Sequence, residues 1–168
     1  MNEDKKAITD FTKAIELEPD NLEHYNQRGT PHHKTGEYEK AIADFTKAIE
    51  LGPQHPDCHI ERGYVYYKMG KYQEMIQDCN EAVEKSPSSG YRAYFYIERG
   101  CAYWLLGERD KARADFVKAV ELDPKNKCYL EELEKEFKDT NCDVLGFYHG
   151  GGIIFFLHAI LKPKKSDK

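Results

Sequence analysis

Three sets of side chains in this sequence have types and spacings that chemistry can use. His55, Cys58 and His59 fall within one short stretch, and His32 and His33 are adjacent, which are the donors of a transition-metal site. Five cysteines, Cys58, Cys79, Cys101, Cys128 and Cys142, offer thiols for redox or nucleophilic work. An arginine and an aspartate recur sixteen residues apart, as Arg28 with Asp44, Arg62 with Asp78 and Arg99 with Asp115. A guanidinium beside a carboxylate either tunes a catalytic acid or ties two segments of chain together.

Most of this potential does not survive closer reading. The histidine sets lie in or near turns and lack a second ligand pair at a recognisable spacing, so neither a metal nor another cofactor is expected. The cysteines are odd in number and form no CxxC pair. The chain opens MNEDKK with no apolar secretory region, so they read as reduced, mostly buried thiols of a cytoplasmic protein. There is no phosphate-cradling glycine loop, no nucleophile elbow and no metalloprotease histidine pair, and the chain reads as a non-enzyme. The three Arg–Asp pairs are read as structural clamps, because their spacing repeats with the architecture and not with any chemical motif.

The 168 residues are 33% charged and 40% hydrophobic, with a net charge of -5. That is too apolar for wholesale disorder, and a mildly acidic chain lacks the basic face that nucleic acid requires. The elements that must position the pairs are internal repeats. AITDFTKAIELEP ends at Pro19, AIADFTKAIELGP at Pro53, MIQDCNEAVEKSP at Pro87 and ARADFVKAVELDP at Pro124, giving intervals of 34, 34 and 37 residues. The three extra residues are placed in the turn-rich SPSSGYR. A second block precedes the last three segments, reading YNQRGTPHHKTGEY, HIERGYVYYKMGKY and YIERGCAYWLLGER.

Each block is helix-length and closes on Gly36, Gly70 or Gly107, suited to a left-handed helix end. The segment after it carries apolar residues at helical spacing, such as Ala41, Phe45, Ala48 and Ile49, and stops at a proline. Two short antiparallel helices per repeat follow. Gly29, Gly63 and Gly100 sit mid-helix, where glycine costs about 1 kcal/mol against alanine, which predicts close helix approach there. Ala41 and Ala48, or Ala112 and Ala119, supply the facing small surface, and Phe45 and Phe116 are expected to fill the space between neighbouring repeats. Pro31 falls inside a first helix and predicts a kink or early break near Gly29–Pro31.

This pattern resembles the tetratricopeptide repeat (TPR) family, whose unit is a helix–turn–helix of about 34 residues. The resemblance covers Ala7 to about Asn126. Repeat three departs from it with Met75 and Cys79 in place of alanine and phenylalanine, and His32 stands where an aromatic is usual. The resemblance implies an all-α, right-handed superhelical solenoid of antiparallel helix pairs. Residues 1–21 form a half repeat with the second helix only. Three full units follow at 22–55, 56–92 and 93–126, then a charged capping helix over 127–140. Residues 141–168 are an apolar then basic tail. Its uncharged run, 144–161, is open to three readings: packing on the array (preferred), a marginal membrane anchor, or an unstructured extension.

Stacked repeats make an extended concave surface. In the family its wall is the exposed side of each first helix. Here that implies Asn26, Gln27 and Thr30, then Ile60, Glu61, Tyr64, Tyr67 and Lys68, then Tyr94, Ile97, Glu98, Cys101, Trp104 and Leu105. The wall is aromatic, which suits a binding hot spot, and Glu61 and Glu98 favour a basic or aromatic ligand. One family subclass holds chaperone C-terminal carboxylates with Lys, Asn and Arg side chains. Of that set this sequence offers only Asn26, with Thr30, Glu61, Tyr94 and Glu98 at the other places. The expected function is a scaffold that binds a protein, peptide or helix and is not of the carboxylate-clamp type. The rival readings are a tail-anchored membrane adaptor and a regulatory fragment of a larger multidomain protein.

Overall fold

The computed structural model describes residues 3–86 and 88–127, and every described regular element is helical. The order is α1 (Glu3–Leu17), α2 (Leu22–Lys34), α3 (Tyr38–Leu51), α4 (Pro56–Lys68), α5 (Tyr72–Lys85), α6 (Ser89–Leu105) and α7 (Arg109–Leu122), then a short 3-10 turn at Pro124–Asn126. The pairs α2/α3, α4/α5 and α6/α7 are hairpins. Each hairpin packs on the next, α1 packs on α2, and the first helices α2 and α4 also touch. The result is an all-α solenoid of antiparallel helix pairs. The expected capping helix at 127–140, the tail at 141–168, Cys128 and Cys142 lie outside the described residues, except for Lys127.

Local chemistry accounts for the boundaries. Asn21 caps α2 by accepting from the Glu23 amide at 3.1 Å. Pro56 opens α4, where its missing N–H costs nothing. Gly36, Gly70 and Gly107 close the first helices at φ of 78°, 72° and 78°, a region that side chains disfavour.

Two local expectations are corrected. Helix α2 runs unbroken through Pro31 to Lys34. Pro31 sits in the last turn and its own carbonyl still accepts the Thr35 amide at 3.0 Å, so only the bond to the Gln27 carbonyl is forgone. The three extra residues of the longer interval do not form a turn. Ser88 caps a helix that starts at Ser89, ahead of the boundary placed at residue 93, and α6 gains about one turn over α4.

The mid-helix glycines mark close approach inside each hairpin. A Cβ on Gly29 would lie 2.7 Å from the Phe45 ring, and one on Gly100 equally close to Phe116. Both phenylalanines therefore fill their own hairpin first, although Phe45 also packs against Val65 of the next repeat. Gly63 differs because Cys79 replaces the aromatic ring, and its nearest neighbour would be Asp78 Cβ at 3.5 Å. Gly63→Ala is therefore expected to stabilise the chain by up to about 1 kcal/mol through helix propensity. Gly29→Ala and Gly100→Ala are expected to destabilise by about 1–3 kcal/mol through overpacking. Thermal melts of the three variants would show this reversal of sign; a common sign would overturn it.

Each recurring arginine reaches both oxygens of its aspartate. Nε and Nη2 of Arg28 donate to Asp44 at 2.9 and 2.6 Å, those of Arg62 to Asp78 at 3.0 and 2.6 Å, and those of Arg99 to Asp115 at 2.8 and 2.6 Å. A third bond crosses to the preceding repeat. Nη1 of Arg28 donates to Thr12 at 3.2 Å, that of Arg62 to Thr46 at 2.9 Å and that of Arg99 to Asn80 at 2.6 Å. The separations are sixteen, sixteen and nineteen residues, so the longer α6 keeps its arginine in register. Each arginine thus joins three helices, where the sequence reading named only two.

Candidate functional site

The first helices present a run of aromatic side chains across α2 and α4. His33 meets Tyr64 edge-on at 4.8 Å, and Tyr64 stacks with Tyr67 at 6.2 Å. Exposed Lys68 places its ammonium 5.1 Å from the Tyr64 ring and 5.5 Å from the Tyr67 ring. These three rings are half-buried, which leaves part of each surface open. His33 was not among the sequence-predicted wall residues. It stands one repeat length before Tyr67, so the period alone points to it.

Asn26 adds a polar group at the α2 end. Its Oδ1 is shielded from solvent and has no hydrogen-bond partner among the described residues. A desolvated acceptor left unpaired costs about 1–3 kcal/mol, a cost that a ligand N–H would relieve. Gln27 is exposed and is held by Glu23 at 2.7 Å. Thr30 donates to the Asn26 carbonyl. Ile60, Glu61, Tyr94, Ile97, Cys101 and Leu105 are half-buried.

Two predicted wall residues belong to the interior instead. Trp104 is only 7% exposed and packs with Ala112 and Phe116 of α7, because the small Ala112 leaves room for the indole. The Arg109 guanidinium covers its ring at 3.6 Å. Glu98 is 4% exposed. Burial pushes its carboxyl up to about 8, against the opposing effect of its hydrogen bond with Tyr94. Burial and the nearby Glu98 charge likewise raise Tyr94, which favours its hydroxyl as the donor in that bond. Glu98 is therefore mostly neutral at pH 7, and the acidic character expected of the wall rests on Glu61. The same repeat position is exposed at Gln27 and half-buried at Glu61. It is buried at Glu98, which shares a hydrogen bond with Tyr94, the residue that stands where α4 has Asp57 and α2 has Glu23.

The histidines and thiols have other roles. His59 is buried, with Nδ1 3.3 Å from Asp78 Oδ1 and Nε2 3.2 Å from Lys85 Nζ. His32 is buried with Nδ1 2.5 Å from Glu37 Oε2. Among the described residues no group of three or more His, Cys, Asp or Glu is placed to share a metal. Cys58, Cys79 and Cys101 are free thiols. Burial pushes Cys58 up to about 11 and raises the other two as well, which disfavours the reactive thiolate. No described helix is long and apolar enough to cross a membrane.

Helical hairpins of this length, stacked in order and closed by left-handed glycines, define a helical-repeat scaffold. The chain belongs to the tetratricopeptide repeat family: its sequence matches the family at residues 31–70, 56–88 and 93–126. No match is found among curated proteins. Among solved structures, a crystal structure of MamA protein is similar at a TM-score of 0.67 and 28% identity, over 75% of this chain and 67% of that one. The N-terminal domain of stress-induced protein-1 (STI-1) from C.elegans is similar at 0.62 and 25% identity, over 67% of this chain and 94% of that one. The first TPR of Spaghetti (RPAP3), bound to the HSP90 peptide SRMEEVD, is similar at 0.59 and 25% identity, over 70% and 93%. This chain is accordingly a protein–protein interaction scaffold.

Proposed function

We propose that the scaffold binds a peptide or helix along the first-helix wall and carries out no catalysis of its own. The observation that carries this reading is the half-buried run of His33, Tyr64 and Tyr67, together with the unpaired Asn26 acceptor about two turns before His33 on α2. Flat rings bury large area at low entropic cost, and an extended or helical backbone brings N–H groups for the asparagine. Lys68 over the two tyrosine rings and Glu61 nearby offer one charge of each sign to the ligand.

A chaperone carboxylate clamp is disfavoured. A terminal carboxylate needs cations around it, and the matching places hold Asn26, Thr30, Glu61, Tyr94 and Glu98. Glu98 is buried and largely neutral, so the mismatch lies in the absence of cations at these places and in the Glu61 carboxylate.

A peptide-array screen, followed by anisotropy on the best binder, tests the reading. Tyr67→Ala is expected to weaken binding about tenfold or more, as truncation of an aromatic anchor does. The peptide SRMEEVD is expected to bind no better than a scrambled control. Equal binding by wild type and Tyr67→Ala would remove the wall assignment. Tight, carboxylate-dependent binding of SRMEEVD would overturn the exclusion of the clamp.

A further inference from the structure

One repeat position carries a ring in each of the three first helices: His33, Tyr67 and Trp104. At Trp104 the Arg109 guanidinium of the following helix lies 3.6 Å from the ring centroid. Where repeat four has Arg109, repeats two and three have Tyr38 and Tyr72, which meet His33 and Tyr67 ring to ring at 6.0 and 6.1 Å. Tyr67 has a cation of another kind. Its ring and that of Tyr64 are inclined by only 20°, with centroids 6.2 Å apart, and Lys68 Nζ lies over both, at 5.5 and 5.1 Å. Helix α4 alone among the first helices combines these residues: α2 has Thr30, His33 and Lys34 in their places, and α6 has Cys101, Trp104 and Leu105. His33 from α2 abuts Tyr64 and Tyr72 from α5 abuts Tyr67, so neighbouring helices fix both rings.

We propose that Tyr64 and Tyr67 form a seat for an arginine side chain of the bound polypeptide, and that Lys68 is its internal plug. The ligand guanidinium takes the ring faces and Lys68 swings into solvent, as one cation replaces another. Lys68 is exposed and its ammonium is strongly hydrated, so leaving the rings costs it little. A guanidinium is planar, more weakly hydrated and stacks on aromatic faces, and Arg109 on Trp104 shows this closer fit one repeat away. Glu61 stands one turn before Tyr64 on the same face of α4 and adds a carboxylate on that side. The seat lies on the wall proposed above and rests on that reading; it adds the chemical class of one ligand side chain.

The test titrates the full 168-residue chain, isotopically labelled, with Nα-acetylarginine amide and with Nα-acetylcitrulline amide, which has nearly the same shape and no charge. The arginine compound is expected to shift the resonances of Tyr64, Tyr67 and Lys68, and to bind about fivefold more tightly than the citrulline compound. Lys68→Ala, a change at an exposed side chain, is expected to tighten arginine binding about threefold, because the competing ammonium is gone. Tyr67→Leu keeps apolar bulk, removes the ring and is expected to abolish the difference between the two compounds. Equal binding of the two compounds would overturn the proposal. So would weaker or unchanged arginine binding in Lys68→Ala, or shifts confined to Trp104 and Arg109. Array peptides separate the seat from the wall. Peptides that lose affinity with Tyr67→Ala, yet bind equally with arginine or citrulline, would leave the wall standing and remove the seat. Peptides indifferent to Tyr67→Ala would remove the wall and the seat with it.

Discussion

Replacing Arg62 with leucine is expected to lower the unfolding free energy by about 3 kcal/mol or more, the cost of breaking a buried ion pair from one side. Asp78 is 2% exposed and accepts two bonds from Arg62, so the variant leaves a desolvated carboxylate whose remaining polar neighbour is His59. The variant also strips Thr46 of its donor and loosens the stack of repeat three on repeat two. Lys47→Ala is the control, since Lys47 is exposed and, among the described residues, pairs with exposed Glu50. Its effect should stay within about 0.5 kcal/mol. The double variant Arg62→Leu/Asp78→Leu should recover much of the loss, because two apolar groups no longer strand a charge. Denaturant unfolding of the four proteins decides the matter. If Arg62→Leu costs no more than Lys47→Ala, the clamp is not structural.

Replacing Glu98 with glutamine is expected to stabilise the protein at pH 7 by on the order of 3 kcal/mol, and to flatten its pH dependence. The folded carboxyl titrates at about 8 against an ordinary value of 4.5, with burial as the main cause. The fold therefore holds this proton more tightly than the unfolded chain does. Stability contributed at Glu98 is greatest below pH 4.5, falls as pH rises, and levels off above about 8. Glutamine keeps an acceptor for the Tyr94 hydroxyl and cannot ionise. Other groups titrate in the same range, so the informative quantity is the difference between wild type and variant from pH 5 to 9. A constant difference across that range would show that Glu98 ionises normally in the fold. The same experiment bears on ligand choice, because a neutral Glu98 leaves Glu61 as the acid of the wall.

The sequence alone determined the repeat, the hairpin, the closing glycines and the pairing of Arg62 with Asp78. These features are set within one repeat by helical period, by the backbone needs of Gly70 and by the fixed offset between two helices. Tertiary structure decided what depends on neighbours from outside the unit. Gln27, Glu61 and Glu98 share one repeat position, yet their burial ranges from open to closed, and at Glu98 the carboxyl lies in the interior with a hydrogen bond to Tyr94. Trp104 and Tyr67 share another position, and only Trp104 sank into the interior, packed on Ala112 and Phe116. Pro31 looked like a helix breaker, but its place in the last turn reduced its effect to one lost main-chain bond. The third bond of each arginine was hidden in the same way. It joins Thr12, Thr46 or Asn80 of the preceding repeat, and a period read along the chain gives spacing without showing which side chains the stacking brings within reach.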